Sequence, residues 1–129
     1  MSALRRFVPF LALALLSQAA SFAADRAAYD QKAFDQAQAA NLPILLDVSA
    51  PWCPTCKAQK PILEKLTADP AYKDLKIFEI DFDSQTDLLR RLRVQKQSTL
   101  IVYKGKTEQG RSTGDTAEAS ISALLHKSL

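Results

Sequence analysis

Cys53-Pro54-Thr55-Cys56 is the stretch of this chain best equipped for chemistry. It holds the only two cysteines, and Trp52 beside it is the only tryptophan. A C-x-x-C pair between a strand-like run and a helix-like run reads as a redox dithiol. The spacing lets two sulfurs reach bonding distance, about 2 Å, without straining the backbone. If Cys53 caps the following helix, its sulfur faces free backbone N–H groups and the positive end of the helix dipole. Both favour the thiolate, which is the nucleophile. Cys56, one turn inside, is expected to be shielded and suited to resolving a mixed disulfide. Two alternatives remain open, a purely structural disulfide and half of a zinc site. Zinc usually takes four ligands, and only His126 is left as a soft donor. A structural staple normally closes a longer loop.

The elements that must position this pair follow from hydrophobic pattern. Lys32–Ala40 reads as a first helix, with Phe34 and Ala37 on one face, ending near Asn41. Pro43 opens Ile44-Leu45-Leu46-Asp47-Val48, apolar throughout except for its aspartate. Continuous apolarity predicts a strand covered on both faces. Pro54 suits the first turn of the next helix, where its missing N–H costs nothing. Ile62, Leu63 and Leu66 form that helix's buried stripe, and Pro61 is expected to kink it. Leu75–Phe82 reads as a strand with Phe78, Ile80 and Phe82 on one face and Ile77, Glu79 and Asp81 on the other.

Ser84 with Asp87 resembles a capping box for a helix burying Leu88, Leu89 and Leu92. Arg90, Arg91 and Arg93 are expected on its solvated face. Thr99–Tyr103 is strand-like, and Lys104-Gly105 turns it into a polar return strand through Ser112. Asp115 with Glu118 is expected to cap a last helix packing Ile121, Leu124 and Leu125. His126 lies in its final turn as a surface residue.

Before all of this, Arg5 and Arg6 precede an apolar run of ten residues, Phe7–Leu16, and small residues follow to Ala23. That is the three-part form of a secretory signal peptide, with cleavage after Ala23 expected and retention as an anchor the alternative. The run falls short of the roughly 20 apolar residues of a membrane-spanning helix. Residues 24–129 then form one small domain. Two of the 17 Lys and Arg lie in the leader, so 15 face 14 acids and the balance is +1. Such a balance argues against nucleic acid as a partner. Export, probed against cysteine usage, implies an oxidising compartment, in the first instance a bacterial periplasm.

The order of strands and helices around the dithiol, with Asp47 six residues before Cys53, resembles the thioredoxin family. The matching residues are Asp47, Trp52, Cys53, Cys56, Lys57, Pro61, Thr99 and Gly114. The resemblance implies an α/β thioredoxin fold, a central mixed β-sheet with helices on both faces. It implies thiol–disulfide exchange on a protein substrate, with no cofactor and no resident metal, by a monomer. Cys53, Cys56 and Asp47 take the catalytic places, Asp47 moving a proton for Cys56. Trp52, Ser98 and Thr99 fall at substrate-binding places, and Lys57 and Glu79 at places that modulate the dithiol.

The Cys-Pro-Thr-Cys form is similar to exported reductases, which implies a reductase fed by a membrane electron donor. A binding or assembly factor with a structural or metal-capturing dithiol is the alternative. The chain also departs from the family: Ser49 replaces a common aromatic residue, Glu79 stands where a lysine often faces the buried acid, and Ser98 replaces a cis-proline. A cis bond before serine costs about 2.5–4 kcal/mol. A trans Gln97–Ser98 bond is therefore expected, with the Gln95–Thr99 segment rearranged.

Overall fold

The computed structural model describes residues 24–129, so the signal-peptide reading of residues 1–23 lies outside the described residues. Five strands form one sheet in the order β1-β3-β2-β4-β5. They are β1 (Asp25–Ala28), β2 (Pro43–Ser49), β3 (Lys76–Asp81), β4 (Thr99–Lys104) and β5 (Thr107–Thr113). β1, β3 and β2 run parallel to one another, while β4 and β5 are antiparallel additions. Four helices cover the sheet: α1 (Gln31–Ala39), α2 (Pro54–Thr67), α3 (Thr86–Leu92) and α4 (Glu118–His126). No helix among the described residues is long and apolar enough to cross a membrane.

Side chains alternate across a strand with period two, so each strand supplies both faces. Ile44, Leu46 and Val48 of β2 join Phe78 and Ile80 of β3 on the side covered by Phe34 and Ala37 of α1 and Leu88 and Leu89 of α3. Leu45 of β2 and Ile77 of β3 face the other way, against Leu63 of α2 and Ile121, Leu124 and Leu125 of α4. The central strand is thus buried on both faces, as its unbroken apolarity predicts.

β1 is the element that sequence reading misses. Asp25-Arg26-Ala27-Ala28 carries no β-branched or aromatic residue. It is a strand because β3 offers an open edge: Asp25 N–H donates to Leu75 O at 3.1 Å and Tyr29 N–H to Glu79 O at 2.8 Å. At the far side, Gly105 takes φ +56° in the β4–β5 turn, and a Cβ there would meet Asn41 Oδ1 at 2.5 Å.

Two helix starts differ from expectation. The N-cap of α3 is Gln85, which makes no side-chain cap bond. Ser84 donates instead to Asp81, Asp87 pairs with Arg90 at 3.2 Å, and Gln85 Oε1 turns back to accept Asp81 N–H at 2.8 Å. The N-cap of α4 is Ala117, also without a side-chain bond. Asp115 lies two residues before the N-cap, where it accepts Ala117 N–H at 3.0 Å and the Ser120 hydroxyl of the first turn, but caps no N–H of the helix itself.

Candidate functional site

The strand-to-helix junction after β2 sets the dithiol. Cys53 is the N-cap of α2, with φ −84° and ψ 109°, and its Sγ accepts Cys56 N–H at 3.1 Å. Pro54 occupies the first helical position, and Lys57 N–H donates to Cys53 O at 3.2 Å, closing the first turn. Cys53 and Cys56 are joined as a disulfide with their Cα atoms 5.3 Å apart, inside the ordinary range.

Burial reverses one expectation. Cys53 is 0 % exposed and Cys56 is 9 % exposed, so the inner cysteine is the less covered of the two. Cys53 is packed with Ala50 and Phe82, whereas Cys56 opens into a cleft of about 490 Å³. Trp52 stands 55 % exposed beside them, its indole N–H held by Asp83 at 2.9 and 3.1 Å.

The cleft gathers four of the expected site residues, Cys56, Asp47, Lys57 and Glu79, with Arg26, Lys60 and Asp81. Period two again explains this. Arg26 of β1, Asp47 of β2 and Glu79 of β3 project to the sheet face that α2 covers, and Asp47 stands directly opposite Glu79. That register agrees with the sequence expectation. Two acids side by side need a cation, and Arg26 supplies it. Its Nη1 donates to Asp47 Oδ2 at 3.1 Å and to Glu79 Oε1 at 2.7 Å. Burial pushes the Asp47 carboxyl up from its ordinary value, Arg26 pulls it back down, and the Glu79 charge adds to the rise. Burial works against the charge on Arg26, but its bonds to Glu79 and Asp47 prevail and hold it cationic.

Ser98 and Thr99 lie elsewhere. No cis peptide bond occurs among the described residues, so Gln97–Ser98 is trans as expected, and Ser98 is buried with φ +55°. Its hydroxyl donates to Gln97 O at 2.6 Å, and Thr99 Oγ1 donates to Lys96 O at 2.7 Å. Both hydroxyls therefore brace their own loop. Thr99 lines a separate depression with Arg93, Gln95, Lys96 and Arg111, on the β4–β5 side.

Three residues at the site escape sequence reasoning: Arg26, Asp83 and Gln59. Gln59 is 1 % exposed, and its Nε2 donates to Asp115 O at 2.9 Å and Ser98 O at 3.2 Å. It ties two loops onto α2 one turn beyond Cys56. Its place in a Lys-Ala-Gln-Lys run reads as solvated helix surface, and nothing in that run signals burial. The basic cluster behaves as expected: Arg90 pairs with Asp87, and Arg91 donates to Gln31 at 3.3 Å. No cluster of three or more His, Cys, Asp or Glu able to hold a metal occurs among the described residues.

The sequence model of the Thioredoxin family matches residues 26–127. The chain belongs to the thioredoxin family. Thioredoxin Asp f 29 of Aspergillus fumigatus is 30 % identical over 96 residues, covering 74 % of this chain and 84 % of that protein. Thioredoxin-2 of Saccharomyces cerevisiae is 32 % identical over 81 residues, covering 63 % of this chain and 76 % of its own. The crystal structure of Trxlp from Edwardsiella tarda EIB202 superposes with a TM-score of 0.76 at 44 % identity, covering 78 % of this chain and 98 % of that one. Family membership and the close cysteine pair make this protein a thiol–disulfide oxidoreductase that acts on protein disulfides.

Proposed function

We propose that this thioredoxin-family protein is an exported reductase, working as a monomer in a bacterial periplasm and recharged by a membrane electron donor. The observation that carries the reading is Cys53 at the N-cap of α2, bonded to Cys56 beside the cleft that holds Asp47. The N-cap favours thiolate at Cys53. The Cys53 thiolate attacks one sulfur of a substrate disulfide, forming a mixed disulfide and releasing the first substrate thiolate. Cys56 then gives its proton to the Asp47 carboxylate, directly or through one water in the cleft, and attacks Cys53 Sγ. The bond between Cys53 and the substrate breaks, the second substrate thiolate leaves, and the protein ends oxidised by two electrons. Two electrons from the donor's dithiol restore the pair.

Cys53 is covered in the oxidised state, so a partner must displace neighbouring side chains to reach it. Exposed Trp52 beside it is the surface against which a substrate docks. The leader-like residues 1–23 support export, and the Cys-Pro-Thr-Cys form supports the reducing direction.

The reduction potential of the Cys53–Cys56 couple tests the direction. A value near the strongly oxidising extreme, about −120 mV, overturns the reductase reading. Cys56→Ser should trap mixed disulfides with partners in a periplasmic extract, and Cys53→Ser should trap none. Traps formed only by Cys53→Ser would reverse the roles. Fractionation of cells expressing the full chain, with mass determination of its N-terminus, tests export and cleavage after Ala23. Sedimentation tests the monomer.

A further inference from the structure

We propose that Arg26 is a positioning residue of this site: shared between Asp47 and Glu79, it sets whether Asp47 carries a charge when Cys56 must lose its proton. The proposal rests on the assignment of Asp47 to that proton transfer.

The geometry is a three-member bridge across three strands. Arg26 comes from β1, the edge strand, and lies opposite Ile77 of β3, two residues from Ala28, the partner of Glu79. Its side chain runs along the sheet to reach the carboxylates of two neighbouring strands with one nitrogen. Asp47 is 8 % exposed, while Glu79 keeps about half of its side chain in solvent. The remaining charged groups on the cleft are Asp81 of β3 and Lys57 and Lys60 of α2, and Cys56 lines the same cleft. β4, on the other side of β2, places Leu100 beside Asp47 and brings no charge. Among the described residues the hydrogen bond that Asp47 makes is to Arg26 and not to a cysteine.

The consequence is a set of opposed effects. A cation within hydrogen-bond reach favours the Asp47 carboxylate, burial and a neighbouring acid disfavour it, and Arg26 is divided between the two acids. Removing Arg26 leaves Asp47 buried beside an acid, so its carboxyl takes up a proton at higher pH. Removing the charge of Glu79 removes a repulsion and frees Arg26 for Asp47 alone, so Asp47 stays ionised to lower pH. A purely structural ion pair has no reason to move the chemistry in opposite directions.

The step to watch is the resolution of the mixed disulfide. In it the Cys56 S–H proton passes to Asp47, the Cys56–Cys53 bond forms, the bond from Cys53 to substrate breaks, and the substrate leaves as thiolate. Reduced protein is mixed with a peptide disulfide, and the decay of the Cys53 adduct is followed against pH by rapid-quench mass spectrometry. The rate should rise through the midpoint at which Asp47 ionises. Arg26→Ala should move that midpoint up by about one unit or more, a loss of about tenfold or more on the acidic side. Arg26→Lys should recover part of the shift, and Glu79→Gln should move the midpoint down. Carboxyl NMR of Asp47 in the same proteins should show the same order.

If Arg26→Ala does not fold, Arg26→Lys and Glu79→Gln carry the test, the latter at a half-exposed side chain. Midpoints unmoved by these variants, while Asp47→Asn abolishes the pH dependence, overturn the role of Arg26 and leave Asp47 in the mechanism. A pH dependence that survives Asp47→Asn overturns the assignment of Asp47 and the proposal with it.

Discussion

Gln59 offers a perturbation whose cost can be worked out from its contacts. Its side chain is 1 % exposed, Nε2 donates to Asp115 O and Ser98 O, and Oε1 is buried with no hydrogen-bond partner. Gln59→Ala removes two hydrogen bonds, each worth about 0.5–1.5 kcal/mol net. It also opens a cavity at a site enclosed by α2 and two loops, so the total should reach about 2–4 kcal/mol. Gln59→Met keeps the volume and loses the same two bonds. It also removes the unpaired Oε1, whose burial costs about 1–3 kcal/mol. The Met variant should therefore lie within about 1 kcal/mol of wild type, a few degrees in Tm for a domain of this size. Both variants should loosen the loop, because Ser98 O keeps only the Gly114 N–H, at 3.0 Å. Urea unfolding gives the stabilities, and hydrogen exchange at Gly114 and through residues 95–99 gives the loop. Met as damaging as Ala would show that the hydrogen bonds outweigh the packing. Unchanged exchange in both variants would refute the claim that Gln59 holds the loop.

Three further outcomes follow from burial and backbone. The folded-state value of Asp47 is raised above its ordinary 3.8 by burial, so at pH between the unfolded and folded values the folded protein keeps a proton that the unfolded chain has released. Wild type should lose stability relative to Asp47→Asn as pH rises from the unfolded value through the folded one, with the gap constant above and absent at lower pH. Urea midpoints of the two proteins at pH 3 and pH 8 check this, and a gap that closes at high pH refutes it. Ser98→Pro must force φ from +55° to about −65°, so it should destabilise by more than about 1 kcal/mol, and a variant as stable as wild type would show that the loop has a second conformation. Leu63→Ala, in the core that α2 shares with α4 and the sheet, should cost about 2–5 kcal/mol by thermal or urea unfolding, and a loss under about 1 kcal/mol would mean the site collapses on itself.

What the sequence makes legible is apolar pattern. β3, α2 and the two cores follow from apolar residues recurring every two or every three to four positions, β2 follows from its unbroken apolar run, and the opposition of Asp47 and Glu79 is what the family resemblance implies. The cation between those acids is not legible. Arg26 sits in a segment without strand-forming side chains, and it becomes part of a sheet only because β3 has a free edge. Gln59 is hidden for a related reason: what buries it is the pair of loops ending at Ser98 and Asp115, which come from the far end of the chain. The two capping boxes fail because Ser84 is engaged by Asp81 and because Asp115, two residues before the N-cap, meets Ala117 N–H and the Ser120 hydroxyl rather than a first-turn N–H.

Several departures from local consistency fall beside the dithiol helix. An acid interrupts an apolar strand at Asp47, a left-handed backbone falls on a serine at residue 98, and buried atoms without partners occur on Arg26 and Gln59. These lie near the amino-terminal half of α2, while left-handed backbone also falls on Asn41 and Arg93 and an unpartnered buried hydroxyl on Ser112. The same face of the sheet, beneath the other half of α2 and α4, is filled by Leu45, Ile77, Leu100 and Val102 without a charge. One face thus carries two regimes, an apolar one that supplies stability and a charged one beside the dithiol. Each charged or strained feature costs free energy that an apolar residue would not. A buried Asp47 paired with Arg26 beside Cys56 is what a site organised for proton movement requires, since a carboxylate in solvent would titrate too low and one buried alone would not ionise at all.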